Sequence, residues 1–369
     1  MKRAPRLVLL LISVALASSC GSPGGHGSES NSASRPSVQS TSPPSSTQVA
    51  STPRVSASST PPSRSAFPDC RLPYVKPAGI GFGPPPFIGG FVSGEQASWS
   101  ADAAGALTQS GQLLVTEMKP VLTGSGFSSE DTGSYDAAAK RWLPVGRSQV
   151  RSDGLAYAYP ELFANTPGGY NDSTRIHVIS LVDGTDRVIY SGPSSFVLAY
   201  EPTGIYVNRF NYGRDGLGTG LERLDPTTGS ITEIPNGAPF EAIAGRSAFS
   251  DGGSLMPRTL VRMDVVTGVE ETWFRTDEPA WLGLVGIDGA GHPIIDVNQG
   301  ANFQDWQLEV LTAPMTATPI AGVHVRSVGV TDNYGTWLAG SDGIYLLRPD
   351  STIVRVSDVT GGNVAGGCG

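Results

Sequence analysis

The amino-acid sequence predicts an all-β protein, a six-bladed β-propeller behind a signal peptide and a disordered linker. Three observations lead there. The first is the stretch 221–234, two short β-type runs around a turn that Asp225 opens and Gly229 closes. An Asp side chain can hydrogen-bond its own backbone, and Gly accepts the positive φ that completes such a turn. The second is recurrence. Residues 260–274 carry Asp264 and Gly268 at the same spacing, and 176–190 carry Asp183-Gly184 between two such runs. Looser copies are 135–145, 308–320 and 344–356. Turn centres fall roughly 36 to 48 residues apart, and a period near forty marks a repeat array. The third is composition: Gly 47 and Pro 29 beside 16% charged residues suit turn-rich β structure and argue against a helical bundle.

Taken in order, the chain opens with an address. Met1-Lys2-Arg3-Ala4-Pro5-Arg6 is a basic head, residues 7–17 are a short apolar core, and Ser18-Ser19-Cys20 is a small-residue exit. So short an apolar run reads as a secretory signal and not as a spanning helix. Residues 1–19 resemble a bacterial lipoprotein signal, with Ala17 where such signals carry leucine and Leu16 one step early. The resemblance implies cleavage before Cys20, lipidation of Cys20, and an extracytoplasmic protein. Its lipid would anchor it to the outer face of the bacterial cytoplasmic membrane or to the cell envelope. Ordinary cleavage nearby would instead leave a soluble secreted protein. Losing Lys2, Arg3 and Arg6 moves the formal net charge from −8 to −11. That balance argues against a nucleic-acid partner.

Residues 20–66 form a tether of mostly Ser, Pro, Thr, Gly and Ala, without an aromatic residue. Such a segment cannot bury enough apolar surface to offset chain ordering. It would average roughly 40 Å end to end as a flexible coil, and about 140 Å if polyproline-like. Its Ser/Thr-Pro content also suits O-glycosylation.

Residues 67–369 are the propeller. The Pro-rich 67–86 reads as an irregular entry strand pinned by Cys70. Residues 87–99 and 113–116 read as strands, and 135–145 completes the first blade. The second has Asp153-Gly154 as an inner hairpin turn, a loop over 160–173 and the outer hairpin 176–190. The third pairs 196–200 with 205–209, then crosses the loop 210–220 to 221–234. The fourth has 240–243, 246–249 and 260–274. In the fifth, 281–287 and 292–297 precede the loop 298–305 and the hairpin 308–320. The sixth has 325–331, 336–339 and 344–356. Each unit is thus an inner and an outer hairpin, the propeller plan, in which ring closure protects sheet edges. A seventh blade stays open if 87–116 hides one, and a β-sandwich fits this even period poorly.

With Cys20 lipidated, Cys70 and Cys368 remain, near the two ends of the folded part. In an oxidising compartment they read as one disulfide across a ring; two isolated thiols are the alternative.

The repeats resemble secreted and cell-envelope propellers of the TolB-like, WD-repeat-like and sugar-lactonase-like group. The marks are Ser152-Asp153-Gly154-Leu155-Ala156-Tyr157, Leu224-Asp225-Pro226-Thr227-Thr228-Gly229 and Met263-Asp264-Val265-Val266-Thr267-Gly268. The whole chain is similar to bacterial lipoproteins in which a Ser/Pro-rich tether carries a propeller. Such folds host both enzymes and passive binders. A lactonase-like member implies a divalent cation held in the channel by scattered Glu, Asn and Asp. Glu201, Asp288, Asp296, Asn298, Asp332 and Asn333 are numerous enough to permit one, and hard oxygen ligands would suit calcium. Asp288 and Asp332 already have turn roles.

Other chemistry is sparse. The histidines (His26, His177, His292 and His324) have no metal-ligand spacing. There is no His-Glu-x-x-His and no Gly-x-Ser-x-Gly. The glycine runs at 79–83 and 216–220 lack the spacing and following helix of a phosphate loop. No catalytic, cofactor or metal residue is therefore assigned. The better candidates sit on long polar loops with aromatics: Tyr212, Arg214 and Asp215 on one, Asn302, Phe303 and Trp306 on the other. Aromatic anchors among amides on a rigid scaffold could hold a glycan or a protein segment. The alternative for Tyr212, Phe303 and Trp306 is a packing role, tucked over neighbouring blades. The leading expectation is a non-catalytic binding scaffold. The alternatives are a metal-dependent hydrolase, with three or more Asp, Glu or Asn converging at the channel mouth, and a structural spacer.

Overall fold

The computed structural model describes residues 65–77, 87–106, 133–163, 173–210, 218–235, 240–251, 258–276, 280–299, 305–320, 323 and 325–369. The signal, Cys20 and the tether up to residue 64 lie outside them. Blade 1 takes β1 (Arg71–Pro77), β2 (Phe87–Ser93) and β3 (Ser98–Ala106). A separate hairpin follows, β4 (Ser134–Asp136) and β5 (Arg141–Leu143). Blade 2 is β6 (Ala156–Phe163), β7 (Ser173–Ser180) and β8 (Asp186–Pro193), with Val150 bridged to Tyr157. Blade 3 is β9 (Ser195–Glu201), β10 (Gly204–Phe210), β11 (Gly218–Leu224) and β12 (Ile231–Ile234). Blade 4 is β13 (Ala242–Ala244), β14 (Ser247–Ser250), β15 (Thr259–Asp264) and β16 (Glu270–Arg275). Blade 5 is β17 (Trp281–Ile287), β18 (Pro293–Gln299), β19 (Asp305–Ala313) and β20 (Thr316–Ile320). Blade 6 is β21 (Val325–Asp332), β22 (Gly335–Gly340), β23 (Ile344–Leu347) and β24 (Ile353–Ser357). The last strand, β25 (Asn363–Val364), returns to blade 1 and sets its sheet order as β25-β1-β2-β3. The protein is a six-bladed β-propeller.

The turn chemistry is as the sequence predicts. Asp225 Oδ1 accepts the Thr227 and Thr228 amides at 2.7 and 2.8 Å, and Gly229 closes the turn at φ 71°. Asp264 does the same for Val266 and Thr267 at 3.0 and 2.9 Å, with Gly268 at φ 69°. Each carboxylate satisfies two amides that the β11–β12 and β15–β16 ladders leave over.

The core lies in the seams between blades. Along β10, Tyr206 joins Leu221, Phe240 and Met263 between blades 3 and 4, while Ile205 and Val207 join Ile176 and Tyr200 between blades 2 and 3. Both faces of one strand are therefore buried, which erases the apolar/polar alternation of a half-exposed strand. Phe249, Leu282 and Ile295 fill the seam of blades 4 and 5, and Ile294, Leu338 and Tyr345 that of blades 5 and 6. Trp337, with Leu72 and Tyr74, fills the seam of blades 6 and 1.

The composition of the first blade differs from expectation. The 135–145 stretch is not its outer hairpin but the separate sheet β4–β5, packed between blade 1 (through Phe91, Tyr135 and Trp142) and blade 2 (through Leu143, Val145 and Tyr157). Blade 1 is instead completed by β1, inside the stretch read as an irregular entry strand, and by β25 from the far end of the chain. Within β1, β25 pairs only with Tyr74 and Val75. Pro73 needs no N–H there, and its carbonyl accepts the Ala365 amide at 2.9 Å. The run 113–116 lies outside the described residues. In blade 2 the loop expected over 160–173 is shorter, because β6 runs through Pro160, opposite Ile176.

Closure joins the two ends of the folded part. Cys70 and Cys368 form a disulfide, Cα–Cα 5.6 Å across a sequence separation of 298. Beside it Arg71 and Gly369 exchange both backbone hydrogen bonds, at 3.0 and 3.2 Å.

Candidate functional site

The inner strands enclose a central channel whose cavity measures about 640 Å³. Its wall comes from blades 1, 3, 4, 5 and 6, through residues 363–365, Leu198, 241–243, 284–287 and 327–329, and from the 133–134 end of β4 and the turn 146–148 ahead of blade 2. Much of the wall is backbone, small and aliphatic. The polar exceptions are Ser134, Ser148, Ser327, Asn363, Arg147 and Glu241. Ser327 Oγ donates to Asn363 Oδ1 at 2.9 Å.

The two charged residues are placed by hydrogen bonds from neighbouring blades. Arg147 begins a short 3-10 turn, Arg147–Gln149. Gln149 holds that turn in place: its Oε1 accepts the Gly146 amide at 3.2 Å and its Nε2 donates to the Val197 carbonyl at 3.5 Å. Glu241 precedes β13. The chain there is clamped by Asn208, a buried amide on β10 that donates to the Phe240 carbonyl and accepts the Phe240 N–H. Glu241 N–H in turn donates to Phe249 O at 2.9 Å, fixing the start of the inner strand.

Glu241 has surface open to the channel, yet the channel walls surround its carboxyl and poorly replace bulk water. That burial, together with a hydrogen bond to the like-charged Asp251 carboxyl, pushes its pKa far above the usual carboxylate range. Asp251 directly follows β14, so blade 4 brings the two acids together from adjacent strands. Asp296, on β18, is also raised, to about 7, by burial.

The residues singled out from sequence meet different fates. Tyr212, Arg214, Asp215, Asn302 and Phe303 lie outside the described residues. Trp306 is half-buried on β19, opposite Asn298 in the β18–β19 register. The six candidate oxygen ligands divide between the two ends of the blades. Glu201, Asp288, Asp332 and Asn333 belong to the β9–β10, β17–β18 and β21–β22 turns, whereas Asp296 and Asn298 lie toward the other end of β18. Asp288 accepts the Ala290 and His292 amides at 2.9 and 2.8 Å, and Asp332 accepts from Tyr334 N, Trp337 Nε1 and Cys368 N at 2.7–2.8 Å. These carboxylates are occupied by the fold. Among the described residues no three His, Cys, Asp or Glu side chains gather at one point.

His177 ties three strands of blade 2 together. Its Nδ1 faces Asp186 at 2.8 Å, its Nε2 faces Glu161 at 3.2 Å, and its ring stacks on Tyr159 at 4.7 Å. His292 closes the Asp288 turn at 3.1 Å. The residues that sequence reasoning missed are Arg147, Glu241 and Asp251. Nothing in the local sequence marks them, since Arg147 and Glu241 meet at one channel only when the ring closes.

No protein-family model matches the chain. No curated protein matches it either. Among solved structures it is similar to TolB from Acinetobacter baumannii, at 13% identity and TM-score 0.40, over 81% of this chain and 64% of TolB. The tricorn protease gives 11% identity and TM-score 0.40, over 79% of this chain and 27% of that one. Oligogalacturonate lyase from Vibrio parahaemolyticus gives 9% and 0.40, over 79% and 89%. The chain thus spans less than two thirds of TolB and about a quarter of the tricorn protease. Likeness at this level is that of distantly related β-propellers and carries nothing about ligand or activity.

Proposed function

We propose that the protein is an extracytoplasmic lipoprotein, anchored through Cys20, whose tether presents the propeller as a non-catalytic binding module. A ligand is received at the central channel and its rim. The observation that carries this reading is the channel itself, a formed cavity of about 640 Å³ with one guanidinium, one carboxyl and several hydroxyl and amide groups on an otherwise aliphatic wall. That combination, in a cavity within the range of roughly 300–1,000 Å³ usual for small-ligand sites, suits binding. Tyr212, Arg214, Asp215, Asn302, Phe303 and Trp306 stay the sequence's candidates for contacting a larger protein or glycan partner.

The experiment is a thermal-shift screen of the purified protein against peptides, oligosaccharides and divalent cations, repeated on Ser148→Trp, which narrows the lumen. A ligand that raises Tm in the wild type and not in Ser148→Trp supports channel binding. One that acts equally on both removes the channel from the reading. A stoichiometric metal ion retained after dialysis would replace it with the hydrolase alternative. The anchor is tested separately: Cys20→Ser should release the protein from the membrane fraction.

A further inference from the structure

We infer that the loop end of blade 5 is a binding site apart from the channel, where Asp296, Asn298 and Trp306 take a saccharide by its hydroxyl groups and one face of its ring. None of the three lines the channel cavity, so the two sites stand or fall separately. Register puts them together. Asn298 stands opposite Trp306, and Asp296 opposite Leu308, in the β18–β19 ladder. Opposed residues share a face, as do alternate residues along one strand. That face is the one on which Ile294, Leu308 and Val310 fill the seam with blade 6. Toward the loop end the apolar filling stops, and a carboxyl, an amide and an indole take its place. Asn298 is wholly buried, yet neither its Oδ1 nor its Nδ2 has a partner. A buried amide left unpaired is costly, so a fold that keeps one calls for an occupant that answers it. Asp296, half-buried, is in a similar position: no hydrogen bond and no neighbouring charge acts on its carboxyl, only burial.

The unmet groups select the ligand. Asn298 needs both a donor and an acceptor, and the Asp296 carboxylate needs donors. A hydroxyl group is donor and acceptor at once. Two hydroxyls on one sugar ring therefore answer both side chains, which stand two residues, about 6.8 Å, apart along the strand. The C–H face of the same ring suits the indole of Trp306. A divalent cation would meet the two oxygens but not Asn298 Nδ2, and no three His, Cys, Asp or Glu among the described residues gather to complete its shell. An anion would face the Asp296 carboxylate, and an ammonium group would again leave Nδ2 unmet. Asp296 and Trp306, both partly exposed, form the approach, with Asn298 at its inner end.

The test is calorimetric titration of the intact protein, solubilised in a sugar-free detergent, with glucose, galactose, mannose, arabinose, N-acetylglucosamine, maltose and cellobiose. At least one should bind saturably. Asn298→Leu, close in volume, should weaken that binding by about tenfold or more without lowering Tm, because the unpaired amide is gone. Asp296→Ala and Trp306→Ala, at partly exposed positions, should each weaken it as well, so one misfolded variant leaves two others to read. Ser148→Trp should leave it unchanged, and circular dichroism confirms that each variant is folded. The assignment is overturned if no sugar in the panel binds, or if one binds equally well to the wild type and Asn298→Leu. Binding lost in Trp306→Ala alone would give the Asn298 amide to internal water. A sugar lost in Ser148→Trp and kept in Asn298→Leu belongs to the channel, whose reading then stands while this one falls. Calcium chloride and Gly-Gly-Gly are titrated in parallel. If either binds in a way that Asn298→Leu abolishes, and no sugar does, the saccharide is overturned as the occupant.

Discussion

Replacing Cys70 and Cys368 together by serine opens a covalent ring whose ends are 298 residues apart in sequence. In the chain-entropy treatment, closing a loop of that length restricts the unfolded state by about 5–6 kcal/mol at 25 °C. The folded ring keeps its other fastenings: the β1–β25 pairing, the two Arg71–Gly369 hydrogen bonds, and the Asp332 carboxylate on the backbone of residue 368. The variant should therefore fold, with native circular dichroism at 20 °C, and melt earlier. An unfolding entropy of ~2.1 cal/mol/K per residue over about 300 residues gives ~0.6 kcal/mol/K, so Tm should fall by about 8–10 °C. The assay is differential scanning calorimetry of the wild type, the double variant, and the wild type in reductant. The last two should coincide. A Tm change under about 2 °C would refute the argument that closure is mainly an entropic clasp. So would a variant already unfolded at 20 °C, because the disulfide would then be holding native structure that the hydrogen bonds cannot.

Further outcomes test the site and its electrostatics. Asn208→Ala leaves both backbone groups of Phe240 without their buried partner, at a cost of about 1–3 kcal/mol. It should also raise hydrogen exchange at the Phe240 amide, which leucine-for-isoleucine changes elsewhere in the core would not. The Asp264 carboxylate is held at about 2, mainly by the Thr267 amide and with help from Arg246. Its folded pKa lies below the unfolded one, so its stabilisation is present above pH ~4 and is lost as pH falls toward 2. Asp264→Asn should flatten the Tm-against-pH curve in that window. Asp296 has the opposite sign: burial raises it to about 7, so the folded state keeps a proton that the unfolded chain gives up above pH ~4. Tm should decline from pH ~4 to 7 through this group, and Asp296→Asn should remove the decline. A curve that is unchanged in Asp296→Asn would sink that assignment. Trp337→Ala empties a fully buried position between blades 6 and 1 and should cost about 3–5 kcal/mol, read from chemical denaturation.

The sequence by itself determined the repeat and the turns. Asp225–Gly229 and Asp264–Gly268 act within five residues, through a carboxylate and a positive φ, so their chemistry is visible without any knowledge of what packs on them. The period they mark was enough for the all-β propeller, its six blades and five of the six outer hairpins. The Cys70–Cys368 pairing was also legible, because only two cysteines remain beyond the signal. What stayed hidden depends on contacts between distant parts of the chain. That β25 would complete blade 1 was not visible, because Asn363–Val364 is a two-residue strand whose only template is β1, almost three hundred positions earlier. Nor was the role of 135–145, which reads like any other hairpin and differs only in what lies on either side of it. The channel residues show the same limit. Arg147 and Glu241 carry no motif, and only ring closure brings them to one lumen. There the walls exclude enough water to push the Glu241 carboxyl far above the usual carboxylate range.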